Sequence, residues 1–194
     1  MSRFRTITTG LLTFALPVVA FMFSQSVYAQ DHAHGQADMH KSEIRIPESI
    51  KVEHGEIHEA LVRATKAPGE VGKAARDLAE VLHPHFVREE QIALPPLGLL
   101  APLARGEVTP EMRAVLPMTD SLRAELPKML EEHKAIHAAT VHLGEVAKAA
   151  GDSAAARVAE QLLVHAQNEE EVMYPAALLV GDMVRARLKA GSGL

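Results

Sequence analysis

The sequence contains no cysteine and no tryptophan, and its aromatic side chains are limited to five Phe and two Tyr. Without cysteine the chain cannot form a disulfide, a thiolate zinc site or an iron–sulfur cluster, and it offers no cysteine for a lipid anchor. So few aromatic residues, beside abundant Ala and Leu, favour helices packed on helices over a sandwich of sheets. With 194 residues, 47% of them apolar, the chain is long enough to bury the core of one domain.

Excess positive charge and an apolar run of membrane length are also missing. The formal charge of −5 becomes −7 when residues 1–29, which contain two Arg and no acidic residue, are removed. Nothing basic enough to bind nucleic acid therefore remains. Residues 11–23 form a short apolar run, about 13 residues against the roughly 20 that span a bilayer.

This apolar run fits an export signal. Arg3 and Arg5 precede it, and SQSVYA, ending in the small Ala29, follows it, which is the order of a cleavable signal. We predict a signal peptide over residues 1–29 that is cleaved near Ala29, with an uncleaved membrane anchor as the alternative. A flexible His-rich tail, residues 30–47, and a globular domain, residues 48–190, follow. The expected location is the periplasm or the exterior of the cell, with no membrane attachment after the signal is removed.

A sequence unit that occurs twice carries the chemistry of the chain. HPHFVREEQIALP begins at His83 and HAQNEEEVMYP begins at His165. In both, a His is followed four residues later by Glu, then at once by a second Glu, and a Pro stands ten residues after the His. EHGEIHEA precedes the first copy and EHKAIHAA precedes the second. Each unit indicates a helical hairpin, with HxxxH on one helix and HxxxE on the next. Two such hairpins predict an all-α, antiparallel up-down four-helix bundle.

Apolar periodicity and breaker residues give the approximate helix bounds. The four helices are predicted over residues 48–66, 70–94, 120–149 and from the Gly151-Asp152-Ser153 turn to about residue 174. One short extra helix is expected in the connection, near residues 110–116, and another after Pro175. The polar residues of the repeat lie within the apolar stripes, as in the fourth helix, whose stripe reads Val158, Leu162, His165, Glu169, Val172. On the third helix the stripe includes His133 and His137.

Residues spaced i and i+4 on a helix lie on one face, about one turn apart, where both can reach the same ion or adjacent ions. A carboxylate buried without a partner is costly, and a metal cation removes that cost. The predicted metal ligands are His54, His58, His85, Glu89, His133, His137, His165 and Glu169. Alternatives stay open: His58 and His137 as partners of the ligands, Glu90 as a solvated neighbour, and Glu170 in place of Glu169 as the bridge. His83 and His142 fall outside the stripes and are expected on the surface.

Iron is the metal that this ligand mixture favours. Imidazole with hard carboxylate suits iron, and two carboxylate-bridged ions with terminal His ligands are a known arrangement in helix bundles. The predicted cofactor is therefore two non-haem iron ions. Zinc or manganese are alternatives that the same ligands accept.

These residues resemble the hemerythrin family in its broad HHE cation-binding form. The resemblance is carried by His54, by His85 with Glu89, by His133 with His137, and by His165 with Glu169 or Glu170, and it covers roughly residues 51–175. It implies a four-helix bundle around a di-iron centre. The oxygen-carrying members have an acid five residues after the His of the fourth helix. The four-residue spacing here is that of the wider HHE group, which is similar to proteins implicated in oxygen or nitric oxide sensing and in repair of iron centres.

Three functions follow as hypotheses. The first is an exported di-iron protein that binds dioxygen or a related small oxidant, nitric oxide or peroxide, rather than an enzyme, and no residue is assigned a catalytic role. The second is iron delivery or repair, or reduction of peroxide or nitric oxide, which needs an external reductant because no flavin motif or cysteine accompanies the bundle. The third is a general metal buffer whose His-rich tail binds the ions.

Overall fold

The computed structural model describes residues 44–191. The predicted export signal and the tail before residue 44 lie outside these residues. The described helices, in chain order, are α1 (Glu48–Ala64), α2 (Gly69–Ile92), α3 (Leu100–Ala104), α4 (Leu116–Ala150), α5 (Ser153–Asn168) and α6 (Tyr174–Gly191). Two 3₁₀ segments, Pro95–Leu99 and Pro110–Val115, flank α3, and a π-helical turn, Glu169–Met173, joins α5 to α6.

The four long helical segments pack around a common core. Helix α1 contacts both α2 and α5, α2 contacts α4, and α4 contacts α5, so the contacts form a closed ring. Residues 44–191 contain no strand. The prediction of an all-helical bundle is confirmed at this level. Within the same range, no helix is both long enough and apolar enough to cross a membrane.

The turn between α4 and α5 follows from its sequence. Gly151 has a φ of 72°, a left-handed conformation that glycine adopts without steric strain and that ends a helix. The Asp152 side chain then accepts hydrogen bonds from the backbone N–H groups of Ala154 and Ala155, which caps the first turn of α5. The predicted turn at residues 151–153 is thereby confirmed.

The end of the fourth helix differs from the sequence prediction. The fourth helix was predicted to end near residue 174, but the helical course does not end there. Helix α5 is followed by the π-helical turn, which leads directly into α6, and Pro175 occupies the first turn of α6. Proline is tolerated there, since the first N–H groups of a regular helix need no carbonyl partner within it. The stretch predicted as a separate short helix is thus an extension of the fourth bundle helix.

The π-helical turn also moves the buried stripe. Val172 was predicted to continue the stripe after Glu169, but Val172 is 59% exposed and Tyr174 is only 1% exposed. A π turn closes i→i+5 hydrogen bonds and so contains one residue more than an α turn. The N–H of Tyr174 accordingly donates to the carbonyl of Glu169. The next buried position after Glu169 is therefore five residues on, at Tyr174, rather than three.

The connection between α2 and α4 contains three short helical segments where the sequence predicted one. Their apolar side chains form a cluster with the far part of α6, consisting of Leu99, Leu103, Met112, Val115, Val180 and Val184. Ile44, just before α1, packs against this cluster. A Cβ atom added to Gly98 would lie only 2.1 Å from the backbone oxygen of Arg45. Residues 44–47 therefore lie against the folded domain.

Two larger apolar clusters make up the rest of the core. One contains Leu61, Leu78 and Leu162 with their neighbours from α1, α2, α4 and α5. The other contains Leu94, Met129 and other residues near the end of α2, the first part of α4 and the start of α6. The same four helical segments also carry buried His and Glu side chains. Along each segment these residues stand near the boundary between the residues of the two clusters.

Candidate metal centre

Among residues 44–191, six His and Glu side chains are buried in the bundle, each with at most 3% of its surface exposed. All four long helical segments contribute: α1 one His, α2 a His and a Glu, α4 one His, and α5 with its π turn a His and a Glu. The six residues are His54, His85, Glu89, His133, His165 and Glu169. The positions were predicted from the two HxxxE motifs and the first His of each HxxxH motif.

These side chains form two groups that share one carboxylate. His85, Glu89, His133 and Glu169 make the first group, and His54, His165 and Glu169 make the second; within each group the candidate ligand atoms lie within 4.8 Å of one another. The two Nε2 atoms of the His pair are 2.8 Å apart in the first group and 3.0 Å apart in the second. The two halves of the site thus repeat the same geometry.

Glu169 stands between the two groups. Its Oε2 is 3.5 Å from Nε2 of His133, and its Oε1 is 2.8 Å from Nε2 of His165 and 3.4 Å from Nε2 of His54. One oxygen therefore faces each His pair. This is the arrangement that a carboxylate bridging two ions requires.

Unsatisfied polar atoms test whether the residues fit a metal. Oε2 of Glu89 is buried and has no hydrogen-bond partner, and Oε1 of Glu169, although 2.8 Å from Nε2 of His165, makes no hydrogen bond of acceptable geometry. The two side chains are only 0% and 1% exposed. A buried carboxylate oxygen without a partner is costly unless a cation compensates it. Imidazole nitrogens and carboxylate oxygens are the ligands that iron and similar divalent metals accept. The donor set therefore fits one cation in each group.

A second layer of carboxylates surrounds the four histidines. Nδ1 of His85 lies 2.9 Å from Glu132, Nδ1 of His133 lies 2.7 Å from Glu170, Nδ1 of His165 lies 3.2 Å from Glu53, and Nδ1 of His54 lies 3.8 Å from Glu90. We call these four acids, Glu53, Glu90, Glu132 and Glu170, the outer carboxylates. In each of the three close pairs the carboxylate accepts the Nδ1 proton, which leaves the Nε2 lone pair directed inward.

The outer carboxylates occupy repeated sequence positions. Two directly precede a buried His (Glu53 and Glu132), and two directly follow a buried Glu (Glu90 and Glu170). Glu90, expected as a solvated neighbour, is 45% exposed but faces His54. Glu170, weighed as an alternative bridge, is 44% exposed and contacts the outer nitrogen of His133. Their repeated positions beside a buried His or Glu are the sequence feature that marks this layer, although the sequence prediction did not use it.

Protonation of His54 and His85 offsets the buried negative charge when no cation does so. Burial disfavours the charged form of His54, but the Glu169 and Glu90 carboxylates outweigh burial and raise its pKa from 6.5 to about 9. Burial also lowers the pKa of His85, but Glu89 and other nearby carboxylates outweigh this effect and raise the pKa to about 9. Metal ions and protons therefore compete for the same nitrogens.

The two buried glutamates differ in acidity. Burial and the charge of Glu169 raise the pKa of Glu89. Burial acts in the same direction on Glu169, but His165 and His54 hold its pKa well below the usual range. Glu169 is thus the carboxylate that stays ionised, in keeping with its place between the two His pairs.

The second His of each HxxxH motif lies outside both groups. His58 is half-buried, its ring centroid is 6.5 Å from that of His83, and burial and the charge of His83 lower its pKa. His137 is exposed, as is His142. On α4 the buried stripe passes through Ile136, so His137 points away from the site.

One functional residue was missed by the sequence reasoning. The hydroxyl of Tyr174 hydrogen-bonds to Glu89 and lies 3.1 Å from Nε2 of His133. The π-helical turn brings it there, and no helical periodicity in the sequence reveals such a turn. Its one sequence signal is its place directly before the Pro of the second repeat.

An aromatic side chain borders the second group. The Phe86 ring stacks on His54 with a centroid distance of 4.2 Å and lies 5.8 Å from the ring of His165. Phe86 directly follows His85 on α2 and belongs to the apolar cluster that contains Leu82. It therefore presents an apolar wall to this side of the site.

Comparison with known proteins agrees with the geometry. No curated protein and no solved structure matches the chain significantly. Residues 45–177 match the family model described as the hemerythrin HHE cation binding domain. That match covers more than half of the chain and includes all six buried His and Glu residues. With two buried groups suited to cations, the chain belongs to the hemerythrin HHE cation-binding family.

Proposed function

We propose that this protein holds two non-haem iron ions and binds dioxygen, or a related small oxidant such as nitric oxide or peroxide. The observation that carries the proposal is the buried Glu169 carboxylate, which has one oxygen toward each of two His pairs. A single structural ion would not need two equivalent His pairs on opposite sides of one acid. The same ligands would accept zinc or manganese.

The proposed ligands are the six buried residues, His54, His85, Glu89, His133, His165 and Glu169. His58 and His137, also predicted from the sequence, are left out because neither belongs to a group whose ligand atoms converge. An antiparallel up-down course of the four helices is part of the proposal. It brings the repeated motifs, which occur at matching positions in each hairpin, to one depth in the bundle.

Bound iron would supply reversible redox change and a coordination position for a small ligand. The protein residues position and shield it. Three of the outer carboxylates, Glu53, Glu132 and Glu170, would hold the Nδ1 protons of their histidines so that these imidazoles present Nε2 inward. Glu89 and Glu169 supply the negative charge, and the apolar clusters on either side, with Phe86, exclude water. Predominantly neutral His ligands favour binding a ligand over strongly oxidising chemistry.

The proposed setting is outside the cytoplasm. Residues 1–29 have the order of an export signal, and the predicted cleavage lies near Ala29. The partner is a small diatomic or peroxide molecule. An external reductant would be needed to return the iron to its reduced state, since the chain has no cysteine of its own.

Metal analysis of the purified chain tests the iron site. We expect two iron ions per chain, fewer in His85→Ala, and an unchanged number in His142→Ala, whose His is exposed. A chain lacking residues 30–41 should also keep two ions, because the tail is not the proposed site. Loss of iron from the tail deletion, with no loss from His85→Ala, would assign the metal to the tail and refute the buried centre.

Ligand binding needs a separate measurement. We expect the absorption spectrum of the reduced, iron-loaded protein to change when oxygen is added and to return when oxygen is removed. Nitric oxide should give its own spectral change on the same reduced protein. An oxygen response that is irreversible would contradict oxygen binding as the function while leaving the metal site intact.

A further inference from the structure

The hydroxyl oxygen of Tyr174 lies among the atoms of the first metal group. It is 3.1 Å from Nε2 of His133, 3.3 Å from Nε2 of His85 and in hydrogen-bond contact with Glu89. The side chain is 1% exposed. Three of its polar neighbours are therefore proposed metal ligands, and bulk water does not reach it.

The distances of the Tyr174 and Glu89 oxygens from the imidazole nitrogens match a coordination sphere. First-row metal ions hold imidazole and oxygen ligands at about 2.0–2.1 Å, so neighbouring ligand atoms stand about 2.9 Å apart in octahedral and about 3.3 Å apart in tetrahedral geometry. The two Nε2 atoms of the group are 2.8 Å apart, and His85 Nε2 is 3.3 Å from Glu89 Oε1. The contacts of the Tyr174 oxygen with the two imidazoles, 3.3 and 3.1 Å, fall in the same range.

The other half of the site lacks such an oxygen. Leu94 is the counterpart of Tyr174 in the first repeat, since each directly precedes the Pro of its motif. The backbone repeats too: the N–H of Leu94 donates to the carbonyl of Glu89, and the N–H of Tyr174 donates to that of Glu169. Both side chains are fully buried. A leucine has no donor atom, so the repeat supplies one phenol oxygen to one of the two groups.

We propose that the Tyr174 oxygen is a further ligand of the metal ion held by His85 and His133, which makes the two ions chemically different. This rests on the proposed di-iron function. The oxygen–metal bond would replace the phenol O–H bond, and the released proton would leave to solvent by way of the partly exposed outer carboxylates beside His85 and His133. The ion held by His54 and His165 has no corresponding oxygen, so it is the one with a free position for a small ligand.

Vibrational spectroscopy of the iron-loaded, oxidised protein tests this directly. A ferric ion bound to a phenolate absorbs visible light, and resonance Raman excitation in that absorption enhances ring vibrations of the bound tyrosine. The chain has no cysteine, so thiolate absorption does not interfere, and its two tyrosines are Tyr28 and Tyr174. Tyr28 precedes the predicted cleavage near Ala29, so a chain that begins at Gln30 retains Tyr174 alone. We expect phenolate vibrations in the full chain and in the chain that begins at Gln30, and their loss in Tyr174→Phe.

Iron content separates this inference from the function on which it rests. Tyr174→Phe should still bind two iron ions, because the six buried ligands remain. Two bound ions without phenolate vibrations in the wild type would overturn the Tyr174 ligand and leave the di-iron centre standing; the tyrosine would then only donate a hydrogen bond to Glu89. Failure of the wild type to bind iron would overturn both. The wild-type spectrum decides the question even if Tyr174→Phe does not fold.

Discussion

Replacing Glu170 by Gln should weaken metal binding, whereas replacing its neighbour Glu171 should not. Glu170 accepts a hydrogen bond from Nδ1 of His133 at 2.7 Å. Glu171 is exposed and accepts one from the Gln167 side chain. The two variants remove the same charge one residue apart, so a general effect of net charge changes both equally. Only the contact with His133 distinguishes them.

The magnitude follows from what the amide retains. Loss of an outer partner of a ligating His typically lowers metal affinity by about 10–100-fold, which is about 1.4–2.8 kcal/mol. A Gln oxygen can still accept the Nδ1 proton, but it lacks the charge that makes the imidazole more basic. Glu170→Gln should therefore lie near the tenfold end, and Glu170→Ala, which loses the hydrogen bond as well, near the hundredfold end.

Competition against a chelator of known affinity measures these constants. The series Glu171→Gln, Glu170→Gln, Glu170→Ala should show rising dissociation constants while the number of ions per chain stays at two. Equal constants for the two Gln variants would refute the role assigned to the outer carboxylates. Loss of one whole ion in Glu170→Gln would show instead that Glu170 is a bridging ligand.

Four further outcomes are expected. The pKa values of His54 and His85 are about 9 in the fold, against 6.5 in the unfolded chain. Protonation of these residues therefore stabilises the metal-free fold fully below pH 6.5, and the stabilisation is lost as the pH rises through 9. Urea unfolding of chelator-treated protein should thus show a fall of a few kcal/mol over that window, since one pKa unit is about 1.4 kcal/mol; a rise would contradict the charge assignment. Gly181→Ala should lower the free energy of unfolding by about 1–3 kcal/mol, because its Cβ would lie 2.2 Å from a threonine hydroxyl of α4. Gly55→Ala, with nothing within 4 Å of its Cβ, should raise it by about 0.5–1 kcal/mol, as denaturant midpoints will show. Val172→Thr should change the free energy of unfolding by less than about 0.5 kcal/mol, because the side chain is 59% exposed. A large decrease in the same assay would show that Val172 is buried in the core.

The sequence was sufficient to predict the helical bundle and the six buried His and Glu residues. An α-helix has a fixed period, so polar residues in phase with Leu and Ile must share their burial. The internal repeat strengthened the prediction of these residues, because His85 with Glu89 and His165 with Glu169 are two instances of one pattern. The helical period and the internal repeat were sufficient for this part.

The remainder depended on information that a period does not contain. A single π turn after Glu169 shifts every later position, and this placed Tyr174 inside and Val172 outside. The outer carboxylates have the exposure and charge of ordinary surface residues, and only the rotation of neighbouring helices shows that they face histidines. His137 was predicted as a ligand because it stands four residues after His133, but its side chain is exposed and belongs to neither group.

The outer carboxylates also bear on how the centre fills with metal. An arriving cation must displace the protons held by buried imidazoles, and a sealed core would trap them. Each of the four acids is partly exposed, from 35% for Glu132 to 45% for Glu90. Three of the buried imidazole rings are hydrogen-bonded to such an acid and therefore stand one side chain from bulk water. Displaced protons can leave by these three short routes without separation of the helices. The cation's own entry, rather than proton escape, should then limit the rate of loading.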